Sequence, residues 1–276
     1  MTPNSKPKPR PPFLREPEDV YHARSKSGEF LSSHLLREFR KSPQLYRARI
    51  LGEISDVMRP AYLLGRAIHC YLLEKHAFYD RYTIGGPINP ATRRPYGRAT
   101  TAWAKWAAAQ NERREVISDD DFEIVRSCGL AVEGSAAASE LLSCGEAELV
   151  CRATLEGVPC QVRCDYVTDT SIVDLKTTDD IDGFETAITK YGYAHQLAFY
   201  RDVVAAHPEG RVMDAYLCAV EKKAPWRCGW WYMPSDILDA ASAENRVVIE
   251  MLRVCRESDT WASGYEQMRV YGGGEL

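Results

Sequence analysis

Residues 165–176 read Asp-Tyr-Val-Thr-Asp-Thr-Ser-Ile-Val-Asp-Leu-Lys, and this stretch predicts a β-hairpin that carries two carboxylates and an amine. Residues 168–171 are typical of a turn between antiparallel strands. Asp174 and Lys176 are two positions apart, so they project from one face of their strand. The hairpin then places the carboxylate of Asp165 beside that of Asp174. Paired carboxylates next to a lysine suit the binding of a hard divalent cation and of a polarised phosphodiester. The alternative without a function is a set of charged side chains that pair across two strands at the surface.

The apolar pattern around this hairpin predicts a mixed fold, because its period changes from helical to alternating near residue 146. We predict helices from Ser32 or Ser33 through Phe39 and at 61–75, 101–115, 118–143, 183–206 and 236–257. We predict strands at 146–153, 159–167, 171–177, 212–220 and 227–233, and an irregular loop at 82–101. Helices before a β-meander, then a helix and more strands, indicate an α/β (α+β mixed) domain with a central mixed β-sheet flanked by helices.

The two ends of the chain differ in composition from its middle. Residues 1–12 hold five prolines and three basic side chains, which predicts a disordered tail that we extend to residue 20. The three glycines at 272–274 predict a flexible C-terminal tail over residues 263–276. A single domain, residues 21–262, remains between the tails and is long enough to bury a substantial core.

Composition excludes several classes of protein. No apolar run approaches the roughly 20 residues that cross a bilayer, and the N-terminus has no apolar signal core, so we expect a cytoplasmic protein without a membrane partner. Nine cysteines, an odd number, fit reduced thiols. The net charge of -4 disfavours a generic nucleic-acid binder but allows an enzyme that confines positive charge to one groove.

Two cofactors are not expected. The late cysteines, Cys218, Cys228 and Cys255, are too far apart for a compact iron–sulfur motif. The chain has no Gly-x-x-x-x-Gly-Lys-Ser/Thr phosphate loop, so we expect no use of ATP.

Basic residues give candidate DNA contacts. Arg93, Arg94 and Arg98 lie in the loop at 82–101 and form a candidate DNA-binding arm, and Arg163 is a further candidate phosphate contact. The first predicted helix carries or precedes basic residues at positions 37, 40, 41, 47 and 49. These fit either a solvated helix face or a phosphate-contacting surface.

Four further positions have two interpretations each. Glu148, on the strand before the hairpin, is a candidate for one more acidic group, and Glu146 has the same parity and stays open as an alternative. A lone histidine on an apolar helix, such as His69, is usually a hydrogen-bonded core residue, and the alternative is a metal ligand. Gln196 and Tyr200 share one helical face at i and i+4 spacing, which also fits an ordinary helix with a polar and a packed residue.

Four segments in order resemble the PD-(D/E)xK nuclease superfamily. They are Gly-Arg-Ala-Ile-His at 65–69, Val-Arg-Cys-Asp at 162–165, Ile-Val-Asp-Leu-Lys-Thr-Thr at 172–178 and Tyr-x-x-Gln-x-x-x-Tyr at 193–200. Within the superfamily, the chain is most similar to the RecE-like (exodeoxyribonuclease VIII) nuclease domain of phages and prophages, over roughly residues 20 to 260. The resemblance implies a restriction-endonuclease-like core.

The resemblance also implies the ligands of a divalent metal, Mg²⁺ or Mn²⁺. Asp165 and Asp174 would bind it with the backbone carbonyl of Leu175, and His69 would add a nitrogen ligand. Asp174 stands where many members of the superfamily have Glu, a change that the motif tolerates.

Catalytic roles follow from the same resemblance. Lys176 would orient or activate the attacking water and stabilise the charge of the transition state. Gln196 and Tyr200 would face the site and hold the metal-bound carboxylates or the DNA.

The function that the resemblance implies is a Mg²⁺-dependent DNA exonuclease. Such an enzyme degrades linear double-stranded DNA from its 5′ ends and leaves a 3′ single-stranded tail for recombination. It forms a closed ring, a trimer or tetramer, and its partner is a single-strand annealing protein in a bacterial or phage-infected cell. Two alternatives stay open: a structure-specific DNA endonuclease of the same fold, and a non-catalytic DNA-binding or assembly protein.

Overall fold

The computed structural model of the chain describes residues 12–54, 60–110 and 114–270. Its α-helices are α1 (Glu18–Lys26), α2 (Ser33–Lys41), α3 (Pro43–Ile50), α4 (Pro60–Leu73), α5 (Phe78–Arg81), α6 (Thr101–Ala108), α7 (Asp119–Glu133), α8 (Ala136–Leu141), α9 (Phe184–Tyr191), α10 (Tyr193–Ala206) and α11 (Ser235–Ser258). Its strands are β1 (Tyr82–Ile84), β2 (Glu115–Ile117), β3 (Glu146–Leu155), β4 (Val158–Val167), β5 (Ser171–Thr178), β6 (Asp214–Glu221) and β7 (Cys228–Tyr232).

Strands β3 to β7 form one mixed sheet in their order along the chain. Strands β3, β4 and β5 are antiparallel neighbours, β5 and β6 run parallel, and β6 and β7 are antiparallel. A parallel pair needs a crossover connection, which α9 and α10 supply. The predicted central mixed sheet flanked by helices is confirmed. A short parallel pair of β1 with β2 lies apart from it and was not predicted.

Helices cover both faces of the sheet. One apolar cluster joins the sheet residue Val162 to Leu36 of α2, Leu197 of α10 and Leu252 of α11. A second cluster includes residues of α4, α7, β5 and β6. Residues 171–175 of β5 are all buried, which is the pattern of a strand covered on both faces, and Ile172, Val173 and Leu175 supply its apolar side chains.

Helix ends follow local signals in the sequence. The Ser32 hydroxyl accepts a hydrogen bond from the N–H of Leu35 and caps α2, and Ser118 forms a capping box with Asp121 at the start of α7. The helix predicted at 183–206 is two helices, because Gly192 adopts a left-handed φ of 68° between α9 and α10. The helix predicted at 118–143 is likewise divided into α7 and α8.

The described part of the predicted N-terminal tail differs from the prediction. Phe13 is buried, and Leu14 exchanges two backbone hydrogen bonds of 2.9 Å with Val150 on β3. Helix α1 then begins at Glu18. These residues cover the edge strand β3, which would otherwise present unpaired backbone groups to solvent. Residues 1–11 of the predicted tail, and the glycines at 272–274, lie outside the described residues.

Among the described residues, no helix combines the length and the apolar character that crossing a bilayer requires.

Candidate active site

The hairpin at 165–176 has the predicted turn. The N–H of Thr168 donates to the carbonyl of Ser171 at 2.9 Å. Beside the turn, β4 and β5 pair through Tyr166 with Val173. Further from the turn, a side chain joins the two strands, because the N–H of Leu175 on β5 donates to Oδ2 of Asp165 on β4 at 2.8 Å. The carboxylate of Asp165 therefore takes the place of a main-chain acceptor and is held against β5.

Glu148 on β3 lies opposite Asp165 on β4. The residues that flank the two carboxylates are paired across the strands: Ala147 with Tyr166, and Leu149 with Cys164. Glu148 has a φ of 59°, in the left-handed region that costs a glutamate about 1–3 kcal/mol. At this point the side chains of both strands switch from one face of the sheet to the other. Leu149 and Cys164 belong to the first apolar cluster, whereas Ala147 and Tyr166 belong to the second. This irregularity brings two acidic side chains together.

His69, Glu148 and Asp165 form a group that fits a metal ion. One ligand atom of each lies within 4.8 Å of the other two, and Nδ1 of His69 is 3.5 Å from Oδ2 of Asp165. Helix α4 fixes the histidine, because its neighbour Ile68 is fully buried, a contribution of about 1.5–3 kcal/mol. Two carboxylates and an imidazole are a donor set that Mg²⁺ and Mn²⁺ accept.

Burial and mutual repulsion shift the pKa values of the side chains in this group. Burial, and then the charge of Asp165, raises the pKa of Glu148 to about 7. Burial and then Asp174 raise the pKa of Asp165 to about 7. Burial lowers the pKa of His69, so its imidazole is neutral at pH 7 and able to bind a metal. A nearby cation strongly stabilises the ionised form of carboxyls whose pKa values are raised in this way.

Asp174 and Lys176 form an ion pair beside that group. The other oxygen of Asp174 accepts a hydrogen bond of 3.0 Å from Nε2 of Gln196. The same nitrogen is 2.9 Å from the hydroxyl of Tyr200, and the predicted i and i+4 pair therefore faces the site together. The Lys176 ammonium lies 4.9 Å from the ring centre of Tyr193. Asp174 is thus held between β5 and α10.

Lys176 is a cation at neutral pH. Burial alone would lower the pKa of its ammonium, but the neighbouring Asp174 and Asp165 outweigh burial and raise that pKa. A permanent positive charge next to two carboxylates suits the stabilisation of negative charge on a phosphate group.

Arg163, predicted as a phosphate contact, lines the cleft and also bonds to groups of the protein, so its role as a DNA contact stays a prediction. Its Nε donates to Oε2 of Glu148 at 2.6 Å, and a terminal nitrogen donates to the carbonyl of Glu16 at 3.0 Å. It holds Glu148 in place. Glu146, the open alternative to Glu148, forms an ion pair with Arg15, so the structure selects Glu148 for the metal group.

The metal group opens into a cleft of about 1210 Å³. His69, Glu148, Asp165, Gln196 and Tyr200 all line it. Its basic lining residues are Lys26, Arg37, Arg40, Arg49, Arg66, Arg81 and Arg163. The arginines at positions 37, 40 and 49 therefore face the cleft, while Arg40 and Arg49 also pair with Glu244 and Glu38, so both interpretations of the first basic helices stay open.

Sequence reasoning assigned no role to Arg66 or Arg81. Arg66 could have been found from the sequence, because it lies inside the segment at 65–69 that carries His69. No sequence pattern pointed to Arg81. Gly65, one residue before Arg66, also lines the cleft, and a methyl group added there would meet Oγ1 of Thr177 at 3.7 Å, an ordinary contact.

The predicted arm of Arg93, Arg94 and Arg98 lies elsewhere. Of the described residues that line the cleft, only Tyr82 comes from that loop, and none of the three arginines does. Arg98 forms an ion pair with Asp121 and lies 5.6 Å from the ring centre of Trp103. Their role as DNA contacts stays a prediction.

The mixed sheet, the carboxylate–lysine hairpin and the histidine-bearing helix together define a fold of the PD-(D/E)xK nuclease class. The sequence of residues 32–270 matches the family described as PDDEXK-like domain of unknown function (DUF3799). Since the match spans most of the chain, the chain belongs to this PDDEXK-like family. The resemblance to the superfamily is confirmed, and the placement among its RecE-like members stays a prediction.

One solved structure supports the same fold. The crystal structure of the "Putative exonuclease" from Eubacterium rectale superposes with a TM-score of 0.68, at 13% identity over 95% of this chain and 97% of that chain. A second structure, of SSO0001, covers 46% of this chain and 61% of that chain at 13% identity, and its TM-score of 0.27 is too low to bear on the fold. Among curated proteins, none matches the sequence significantly.

Proposed function

We propose that this protein is a Mg²⁺- or Mn²⁺-dependent DNA exonuclease that degrades linear duplex from its 5′ ends and leaves 3′ single-stranded tails. One observation carries the proposal: His69, Glu148 and Asp165 converge beside the Asp174–Lys176 pair in a cleft with a basic lining. Ligands for a hard cation next to a fixed ammonium support metal-assisted hydrolysis of a phosphodiester.

The metal would be held by His69, Glu148 and Asp165, with Asp174 adjoining them as a further carboxylate. The backbone of Leu175 belongs to the same neighbourhood, where it partly offsets the burial that lowers the pKa of His69. When bound, such an ion polarises a phosphodiester and neutralises its charge.

The protein's own residues do the remaining work. The ammonium of Lys176 stabilises the negative charge that develops on the phosphate as water attacks in line. Gln196 fixes Asp174, which in turn fixes Lys176, and Arg163 fixes Glu148. Each catalytic group is therefore oriented by a partner outside the reacting centre.

The basic lining of the cleft supports a polyanionic substrate. A protein with a net charge of -4 repels DNA on most of its surface, so binding depends on this concentration of arginines. The choice of an exonuclease, and of its direction, rests on the RecE-like resemblance of the four segments. The name of the Eubacterium rectale neighbour points to the same class of activity.

The test is digestion of a linear duplex labelled at either the 5′ or the 3′ end, in Mg²⁺, Mn²⁺ or EDTA. We expect early release of the 5′ label, dependence on the divalent ion and no attack on covalently closed circles. Lys176→Met should abolish release, whereas Lys75→Met, which changes an exposed lysine paired with Glu133, should not.

Each other outcome has a clear meaning. Cleavage of closed circles would identify an endonuclease. Metal-independent binding with no hydrolysis under any condition would identify a non-catalytic DNA-binding protein. Equal rates for Lys176→Met and the wild type would remove the catalytic assignment.

We also propose that copies of the chain assemble into a ring around DNA. Val247, Met251 and Val254 are half-exposed or more at helical spacing on α11, a face that suits a subunit contact. The proposed product, a 3′ single-stranded tail, is the substrate of a single-strand annealing protein, which is the partner we expect. Light scattering of the purified protein, with Met251→Lys as the disrupting variant, tests the assembly.

A further inference from the structure

The junction of α9 and α10 carries two tyrosines, one of which lines the active-site cleft. Tyr191 ends α9 and Tyr193 begins α10, and between them Gly192 takes the left-handed conformation that lets the chain turn sharply. Tyr191 and Gly192 both line the cleft. The function outlined so far uses neither tyrosine.

These tyrosines end a continuous series of aromatic rings. Trp231 and Phe184 have ring centres 4.6 Å apart, Phe184 and Tyr193 are separated by 6.0 Å, and Tyr193 and Tyr191 by 5.8 Å. Phe184, in the middle of the series, is buried at 1% exposure. The packed rings therefore hold Tyr193, and through it Tyr191, in a defined position.

Tyr191, at one end of this series, is exposed, while its neighbour Tyr193 lies next to Lys176. Tyr191 is 46% exposed, whereas Tyr193 is partly buried beneath the Lys176 ammonium, 4.9 Å from its ring centre. One ring, that of Tyr193, thus separates the exposed tyrosine from the Lys176 ammonium. A rigid, half-exposed aromatic face in a basic cleft is the surface that an unpaired nucleobase recognises.

We propose that Tyr191 is a stacking platform for an unpaired base of the strand that enters the active site, an inference that rests on the proposed nuclease function. Double-stranded DNA keeps its bases stacked on one another, so the platform would select single-stranded or frayed ends. It would place the nucleotide next to Lys176 by its base while the arginines hold its phosphates.

The geometry fixes which face of the ring is used. At 5.8 Å and an interplanar angle of 33°, Tyr191 and Tyr193 are too close for a base between them, since each stacked layer needs about 3.4 Å. The base must therefore lie on the outward side of Tyr191. The Lys190 ammonium lies 5.6 Å from that ring's centre, and an exposed cation–π contact is weaker than base stacking. A base that stacks on Tyr191 can therefore displace the Lys190 ammonium, which can then pair with a phosphate.

Binding of two oligonucleotides tests the proposal without any hydrolysis. One is a fluorescent single-stranded oligothymidylate, and the other has the same length but abasic sites at its terminal nucleotides. Both are titrated in EDTA into the wild type, Tyr191→Ala, Tyr191→Leu, Tyr191→Phe and the control Tyr79→Ala. Tyr79 is 57% exposed and does not line the cleft. Thermal melting checks that each variant is folded.

We expect the wild type to bind the normal oligonucleotide more tightly than the abasic one. Tyr191→Ala and Tyr191→Leu should weaken the normal oligonucleotide by about 5- to 150-fold, the usual range for loss of one base–aromatic stack, and leave the abasic one unchanged. Tyr191→Phe and Tyr79→Ala should behave like the wild type. Leucine keeps the apolar bulk without the aromatic face, so it separates stacking from general packing.

Equal binding of the two oligonucleotides by the wild type would overturn the proposal, as would an unchanged affinity in Tyr191→Leu. The digestion of end-labelled duplex distinguishes this failure from failure of the nuclease assignment. A wild type that degrades DNA but shows no dependence on Tyr191 loses only the platform. A wild type that shows base-dependent binding through Tyr191 but no hydrolysis keeps the platform and loses the nuclease.

Discussion

Replacing Arg163 by methionine tests how the site holds Glu148. In the structure, Nε of Arg163 donates to Glu148 at 2.6 Å and a terminal nitrogen donates to the Glu16 carbonyl at 3.0 Å. The Arg163 side chain is only 11% exposed, so water replaces it poorly. Methionine keeps the apolar stem and removes the charge and both hydrogen bonds.

The magnitude follows from the protonation of Glu148. Removing one partner of a buried ion pair usually costs about 3–5 kcal/mol. Here the pKa of Glu148 is already about 7, so at pH 7 the carboxyl discharges by taking up a proton at a cost below about 1 kcal/mol. We therefore expect a loss of only about 1–2 kcal/mol in the free energy of unfolding, from two lost hydrogen bonds. Metal affinity should fall about 10- to 100-fold, because the proton now competes with the ion and the ligand loses its orienting partner.

The measurements are a Mn²⁺ titration by calorimetry, a Mg²⁺ titration of DNA hydrolysis at pH 7 and at pH 8.5, and urea denaturation without metal. Higher pH should restore part of the affinity, since it removes the competing proton. Arg126→Met, at an exposed arginine paired with Glu123, is the matched control. An unchanged metal affinity would refute the reasoning, and so would a loss of 3–5 kcal/mol in stability, the range expected for an uncompensated buried charge.

Three other predictions follow from the site. Without a divalent ion, the Glu148 contribution to the free energy of unfolding should fall by about 3 kcal/mol between pH 4.5 and 7, because the folded carboxyl, with its pKa raised from 4.5 to about 7, binds its proton more tightly than the unfolded one. Glu148→Gln should flatten this slope in urea denaturation, and an identical slope would contradict the cause. Gln196→Leu removes a hydrogen-bond donor to Asp174 and should lower kcat about 10- to 100-fold with little change in KM in steady-state digestion, whereas a change in KM alone would point to DNA binding. Gly65→Ala should raise the free energy of unfolding by about 0.5–1 kcal/mol in thermal melts, because its methyl group meets Thr177 at an ordinary contact distance, and a destabilised variant would show that the helix cannot accept it.

Local patterns predicted most of the sheet and the hairpin. Alternating apolar residues and the turn at 168–171 depend on neighbours in the sequence, and the strands that they predicted are present. Helix interruptions were harder, because Gly192 interrupts an apolar pattern that by itself continues from α9 into α10. The contact of Leu14 with Val150 was missed for another reason, since it joins residues far apart in the chain and leaves no local pattern.

The sequence by itself determined the chemical groups of the site and their spacing along the strands. Asp174 and Lys176 share a face because a strand repeats every two residues, and the turn brings Asp165 alongside β5. The tertiary structure decided which other groups join them. It brought Glu148 rather than Glu146 to His69 and Asp165, paired Arg163 with Glu148 and placed arginines from separate helices around the cleft. The physical reason is that a left-handed φ at Glu148 and a change of side in two paired strands arise from long-range packing, which the spacing of residues does not encode.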